Sequence, residues 1–386
     1  MKSLLFRLYL AIMKLLARFQ RENPQAWVIL NGAGRGGSNG YLFYKYLKRE
    51  HPELDVSLIE PWPSSHLPFS AWKKIGQAKY LFTTHQPFKV RGSQVNVAFW
   101  HGIPLKRMGT MANNTNRADN QRNEKLWHRT ADLVTSSSDL YESLMSACMG
   151  IETHKYQKLG FPRIDALLNP EAKYDKNFLL TEFFQSSLKK DPAAQVGIYL
   201  PTFRYELADQ EIMERIKQGN FLAFADFDLA KLDQALAKKH QYLLVKLHPY
   251  EMKLFASFKV QASHIAFLNN DDLFERDLDL YEFLPATDFL MTDFSSIFFD
   301  YLHLDKPVIF ITNCLDQYQQ TRGFLLGPYG EVVPGPQAKK QAELVQLLAD
   351  LDQAAASYQA KRQRWLQLTD QVDQGRSCQA IYDYLN

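Results

Sequence analysis

From residue 27 onward, short unbroken apolar runs alternate with longer amphipathic stretches. The run at 27–30 (Trp-Val-Ile-Leu) fills successive rather than alternate positions, which predicts a strand buried on both faces. Runs at 56–60, 80–84, 95–99 and 133–136 predict further strands, with helices between them, the first over 41–49. A second series starts at 196–200 and continues at 242–247, 265–267, 289–292 and 308–311, with a helix near 229–239. Strands that alternate with helices predict parallel sheets covered on both faces. The chain therefore reads as α/β, in two facing halves with a helical tail from residue 337. A ligand is expected between the carboxyl ends of the two sets of strands.

Residues 2–21 carry a different pattern. Arg7, Lys14, Arg18 and Arg21 fall on one helical face, Leu4, Leu5, Leu8, Ile12, Leu15, Leu16 and Phe19 crowd the others, and no acid precedes Glu22. This predicts a basic amphipathic helix, lying in an anionic membrane interface or packed on the protein's own core. The longest uncharged run, 8–13, is too short to span a bilayer. Charges interrupt the apolar stretch and no small-residue cleavage site follows, so the segment does not read as a signal peptide.

Composition narrows the classes. A chain of 386 residues suits two domains, and 46% hydrophobic residues suit packed cores rather than disorder. Lys+Arg 45 against Asp+Glu 42 leaves +3, which gives no reason to expect nucleic acid. Cys148, Cys314 and Cys378 are far apart and lack CxxC spacing, which argues for a reducing compartment and against a zinc site or a disulfide framework.

The candidate chemistry lies where strands end. Gly32, Gly34 and Gly37 form a GxGxxG after the first strand, and Glu60 ends the second, the pattern of a dinucleotide-binding dehydrogenase. Arg35, Ser38 and Asn39 make this loop more polar than a tight dinucleotide turn, and Gly34 lets backbone approach any substrate. His101, in Trp100-His101-Gly102, follows the strand at 95–99 and suits proton removal from a hydroxyl. His248 repeats the placement in the second half, beside Pro249. No carboxylate stands at ligand spacing beside either histidine, so no metal is assigned. Arg204 (in Pro-Thr-Phe-Arg), Lys106 and Arg322 (in Arg-Gly-Phe) offer cations to phosphate. Asp293, Ser295 and Ser296 open a helix near Ile297, where side-chain oxygens cap free amides and phosphate is favoured.

The ordered set of segments at 100–109, 160–165, 200–204, 246–250, 292–310 and 322–336 resembles the CDP-glycerol glycerophosphotransferase family of teichoic acid and capsule synthesis. The resemblance implies a GT-B-like fold, with a membrane-surface helix (1–22), an acceptor domain (23–165), a linker (166–195), a CDP-alditol donor domain (196–336) and returning C-terminal helices (337–386). It implies transfer of glycerol phosphate from CDP-glycerol, or ribitol phosphate from CDP-ribitol, to an undecaprenyl-linked saccharide or a poly(alditol phosphate), without a cofactor, at the cytoplasmic face of the membrane. His101 is then the base and His248 a pyrophosphate contact. Arg204, Asp293, Ser295, Ser296 and Arg322 fall to the donor, and Gly34, Ser38, Asn39 and Lys106 to the acceptor. Ile103 and Phe203 depart from the residues usual in the family at these positions. A GT-B sugar-nucleotide glycosyltransferase and a non-catalytic membrane-associated binding protein are the competing readings.

Overall fold

A computed structural model describes residues 2–64, 67–113, 116–207, 209–255 and 261–386, with side chains outside 2–5 and 205–206. The side chains of Leu4 and Leu5 therefore lie outside the described residues. Two six-stranded parallel sheets organise the chain. The first holds β1 (Asn23–Leu30), β2 (Asp55–Ile59), β3 (Ala78–Thr83), β4 (Val95–Ala98), β5 (Leu133–Ser136) and β6 (Tyr156–Lys158), in the order β2-β1-β3-β4-β5-β6. The second holds β7 (Gln195–Leu200), β8 (Gln241–Val245), β9 (Ile265–Phe267), β10 (Phe289–Thr292), β11 (Val308–Ile311) and β12 (Gln337–Ala338), in the order β12-β11-β10-β7-β8-β9. This is the GT-B-like arrangement expected from the sequence. Strands β5, β8, β10 and β11 are buried along their whole length: β11 is apolar throughout, and the others are mostly apolar with Thr135, Ser136, Gln241 and Thr292 buried among them. The short β6 and β12 carry no run long enough to announce them.

Strand β8 ends at Val245, short of the expected 247. Pro249 lacks an amide to donate and has its φ preset for a helix, so it opens the helix Pro249–Phe255. Helix α2 (Asn39–Glu50) begins two residues early because Ser38 Oγ accepts the Tyr41 amide and fixes the cap.

One apolar core joins the halves. It runs from Tyr41, Leu42 and Ala98 in the first to Tyr281, Leu284, Phe294 and Phe298 in the second. The Gly-rich loop is the polar seam. Asp279, from the second half, accepts the Gly37 amide at 3.0 Å and the Ser38 amide at 2.9 Å, just before α2. Leu280 N donates to Arg35 O, and the Tyr281 ring lies where a side chain at Gly37 (φ +96) would have to go. Glu60 pairs with Arg35 and accepts from Asn31 Nδ2. An internal carboxylate thus holds the amides that a dinucleotide pyrophosphate would need, and the expected ribose acid is engaged. Burial raises the Asp279 carboxyl to about 7, against the opposing pull of the Tyr281, Ser38 and Gly37 amides.

The C-terminal helix Ser377–Leu385 returns to the first sheet, where Ile381, Tyr382 and Leu385 pack with Trp27 and Phe43. Asp165 anchors its start by accepting the Ser377 and Cys378 amides at 2.8 and 2.7 Å.

At the other end, α1 (Lys2–Arg18) packs on α3 (Phe69–Gln77) through Tyr9, Leu10, Met13 and Ala17. Tyr9 fixes the register: its hydroxyl donates to Leu67 O and accepts from Trp72 Nε1. The opposite face leaves Leu8, Ile12, Leu15, Leu16 and Phe19 exposed, Phe19 at 79%. The four cations do not form the expected outward face. Lys14 Nζ lies 4.6 Å from the centre of the Phe88 ring, and Arg18 Nε donates to Val90 O. No helix among the described residues is long and apolar enough to cross a membrane.

Candidate active site

A cleft of about 530 Å³ opens between the sheets at their carboxyl ends. The first half contributes the loops after β1 (Gly32, Ala33, Gly36, Gly37), β3 (His85) and β4 (Trp100 to Lys106), with Arg163 from the helix Pro162–Leu168. The second half contributes Thr202 and Phe203 after β7, His248 after β8, and Ser295, Ser296 and Asp300 after β10. His101 and His248 thus line opposite walls, one from each half, as their strand-end positions imply.

The His101 ring is open to the cleft, stacks on Trp100 with centroids 4.4 Å apart, and lies 5.0 Å from the His85 ring. Protein on the remaining sides desolvates it. That desolvation, with smaller pushes from His85, Arg163 and Lys106, lowers its pKa to about 3, and a hydrogen bond to the Thr84 backbone opposes the shift. The imidazole is therefore neutral at pH 7, the form that accepts a proton. Asn39 braces this loop from below: its Nδ2 donates to Trp100 O, and its Oδ1 accepts the Arg163 amide. Arg163 is buried, with Nη2 at 2.7 Å from Asp300 Oδ2, and that carboxylate also accepts from the Tyr281 hydroxyl at 2.6 Å.

On the second wall, His248 stacks on Phe203 with centroids 4.2 Å apart and accepts the Tyr250 amide at Nδ1. The helix after Ser296 runs from Ile297 to Tyr301, and Ser296 does not cap it with its side chain. Ser295 Oγ makes only a long 3.5 Å contact with the Ile297 amide. Both hydroxyls line the cleft rather than serving the helix.

Other expected contacts take different positions. Arg204 lies beneath the cleft, 3% exposed and paired with the fully buried Glu251 at 2.9 Å. It is committed to that carboxylate and to Phe221 O, so the cleft-facing residues of its loop are Thr202 and Phe203. Asp293 is also buried, accepting the Thr202 and Phe294 amides, and it ties the loops after β7 and β10 together. Burial lifts its carboxyl to about 6. Arg322 ends the helix Leu315–Thr321 away from the cleft lining. The turn at Gly323 (φ +69) then lets Phe324 pair with Lys106 across the halves. Of the residues assigned to the acceptor, Lys106 lines the cleft, whereas Gly34, Ser38 and Asn39 stand behind it. Ser38 is occupied by the α2 cap and Asn31. His85 lines the cleft outside any of the resembling segments, and Arg163, Thr202 and Asp300 line it from within them without having been singled out.

Residues 48–386 match the family described as CDP-glycerol:poly(glycerophosphate) glycerophosphotransferase. The chain belongs to that family. It is 27% identical over 353 residues to the teichoic acid glycerol-phosphate primase of Bacillus spizizenii, covering 89% of this chain and 82% of that protein. It is 28% identical over 293 residues to the teichoic acid glycerol-phosphate transferase of Staphylococcus aureus, covering 73% and 70%. The wall teichoic acid polymerase TagF shares the fold, with a TM-score of 0.77 at 20% identity over 100% of this chain and 96% of that one. The chain is thus a transferase of the glycerophosphotransferase family on a GT-B-like frame.

Proposed function

We propose that the cleft transfers glycerol phosphate from CDP-glycerol to a hydroxyl of a lipid-linked saccharide in teichoic acid synthesis, releasing CMP. The observation that carries this reading is the pairing of His101 on one wall with His248, Ser295 and Ser296 on the other. His101 takes the proton of the acceptor hydroxyl. The hydroxyl oxygen bonds to the phosphorus that bears glycerol, and the bond from that phosphorus to the CMP oxygen breaks. Ser295, Ser296 and His248 hold the donor phosphates, and Arg163 and Lys106 add positive charge. Phosphoryl transfer depends chiefly on such positioning and charge stabilisation. The negative donor raises the pKa of His101 from its low ligand-free value toward the range where a base is effective. CMP release from CDP-glycerol, CDP-ribitol and a UDP-sugar, with a lipid-linked disaccharide acceptor, tests the reading. Turnover with CDP-glycerol is expected, and turnover with the UDP-sugar alone would replace the reading with a glycosyltransferase.

Ser295→Ala combined with Ser296→Ala is expected to weaken CDP-glycerol binding. Each lost charge-assisted hydrogen bond costs about 1.5–3 kcal/mol. Isothermal calorimetry with the nucleotide checks this; unchanged affinity removes both serines from the donor site.

Helix α1 docks the enzyme on the cytoplasmic leaflet in this reading, and its lipid-facing surface is the apolar stripe Leu8, Ile12, Leu15, Leu16 and Phe19. Because Lys14 and Arg18 are turned toward the protein, insertion of apolar side chains dominates over charge. Flotation with anionic vesicles is therefore expected to survive moderate salt and to fall sharply in Leu15→Glu with Phe19→Glu. Equal flotation of variant and wild type would show that α1 serves only the fold.

A further inference from the structure

His85 stands on the acceptor wall without a place in the mechanism above. The sheet order β1-β3-β4 sets its loop between the Gly-rich loop and the Trp100-His101 loop. Its Nδ1 lies 3.3 Å from Thr84 Oγ1, and that oxygen already accepts the Gly32 amide at 2.9 Å. The Thr84 hydroxyl proton is then best given to His85 Nδ1, which assigns the neutral tautomer with its proton on Nε2. Among the described residues Nε2 has no hydrogen-bond partner, and the ring is exposed to the cleft. The His101 ring is 5.0 Å away, tilted by 37°.

We propose that His85 is an acceptor-binding residue whose Nε2–H donates to the oxygen of the attacking hydroxyl while His101 receives that hydroxyl's proton. The assignment rests on the transferase reading above. An attacking hydroxyl has one proton to give and lone pairs to orient, so it needs one acceptor and one donor beside it. His101 and His85 are two such groups, side by side. Burial lowers the pKa of His85 as well, so it enters the reaction as a neutral donor. The donor-side residues Phe203, His248, Ser295 and Ser296 come from the other half of the molecule. The His85 wall also leads to α1. The Trp62 backbone borders Gly32 next to His85, the Trp62 ring meets Phe88 at 4.8 Å, and Lys14 of α1 covers Phe88. A hydroxyl carried on a lipid arrives from that side.

The experiment is steady-state CMP release by the full chain, varying CDP-glycerol and a short-chain lipid-linked disaccharide separately, for wild type, His85→Ala and His85→Gln. His85→Ala should lower kcat/KM for the acceptor about tenfold or more, the loss of one hydrogen bond at a reacting group. Its CDP-glycerol affinity should stay at the wild-type value, which also reports a folded cleft. His85→Gln keeps an N–H donor at similar reach and should recover much of the loss. An unchanged acceptor kcat/KM in both variants overturns the assignment, as does a donor affinity that falls as far as the acceptor term. A wild-type protein that releases no CMP from any CDP-alditol overturns the transferase reading, and this inference with it.

Discussion

His101→Ala is expected to slow CMP release by about 10²–10⁴, the usual contribution of a general base. CDP-glycerol affinity should remain near wild type, because His248, Ser295 and Ser296, which hold the donor phosphates in this reading, lie on the other wall. The pH dependence should separate the two states of the enzyme. In the ligand-free cleft, desolvation and neighbouring cations hold the imidazole well below its ordinary pKa. Bound donor brings negative charge beside it and raises that pKa. The acid limb of kcat, which reports the complex, should therefore lie at higher pH than the acid limb of kcat/KM. Rapid-quench and steady-state assays across pH check both points. A variant turning over at the wild-type rate would remove His101 from the chemistry.

Much of the frame could be read from local sequence, because a strand covered on both faces is apolar at most successive positions rather than at alternate ones. That is why the runs at 289–292 and 308–311 predict β10 and β11 to the residue, while the two-residue β12 offers no run to read. His101, His248, Ser295 and Ser296 could be read for a related reason: each follows a strand closely, and parallel sheets put those loops at the cleft. His85 follows β3 in the same way, so the signal was present, though no motif surrounds it. What sequence could not supply was direction and distant partners. Arg204 follows a strand too, yet Glu251 meets it from beneath the cleft. The Gly-rich loop looks ready for a phosphate, and Asp279, far along the chain, supplies the anion. For α1 the helical period was clear. The face turned inward was decided by the fit of Tyr9, Met13 and Ala17 against the first half, not by where the cations fall.

Arg204→Ala is expected to act on stability before it acts on the donor. Both partners of its ion pair are almost fully buried, with side-chain exposures of 4% and 0%. Glu251 also accepts the Arg204 backbone amide at 2.7 Å, so the variant would leave that carboxyl buried and short of its counter-charge. Breaking one side of such a pair costs about 3–5 kcal/mol. Chemical denaturation should show this as a lower midpoint without a change in slope. Adding Glu251→Gln to an Arg204→Met variant should recover part of the loss, since replacing both charges removes the stranded one. CDP-glycerol affinity of the folded fraction should fall less than in the Ser295 and Ser296 variant, because Arg204 reaches the cleft only through the loop that carries Thr202 and Phe203. The opposite pattern, unchanged stability with donor binding lost, would return Arg204 to the role of a phosphate contact and require the loop to open when the nucleotide binds.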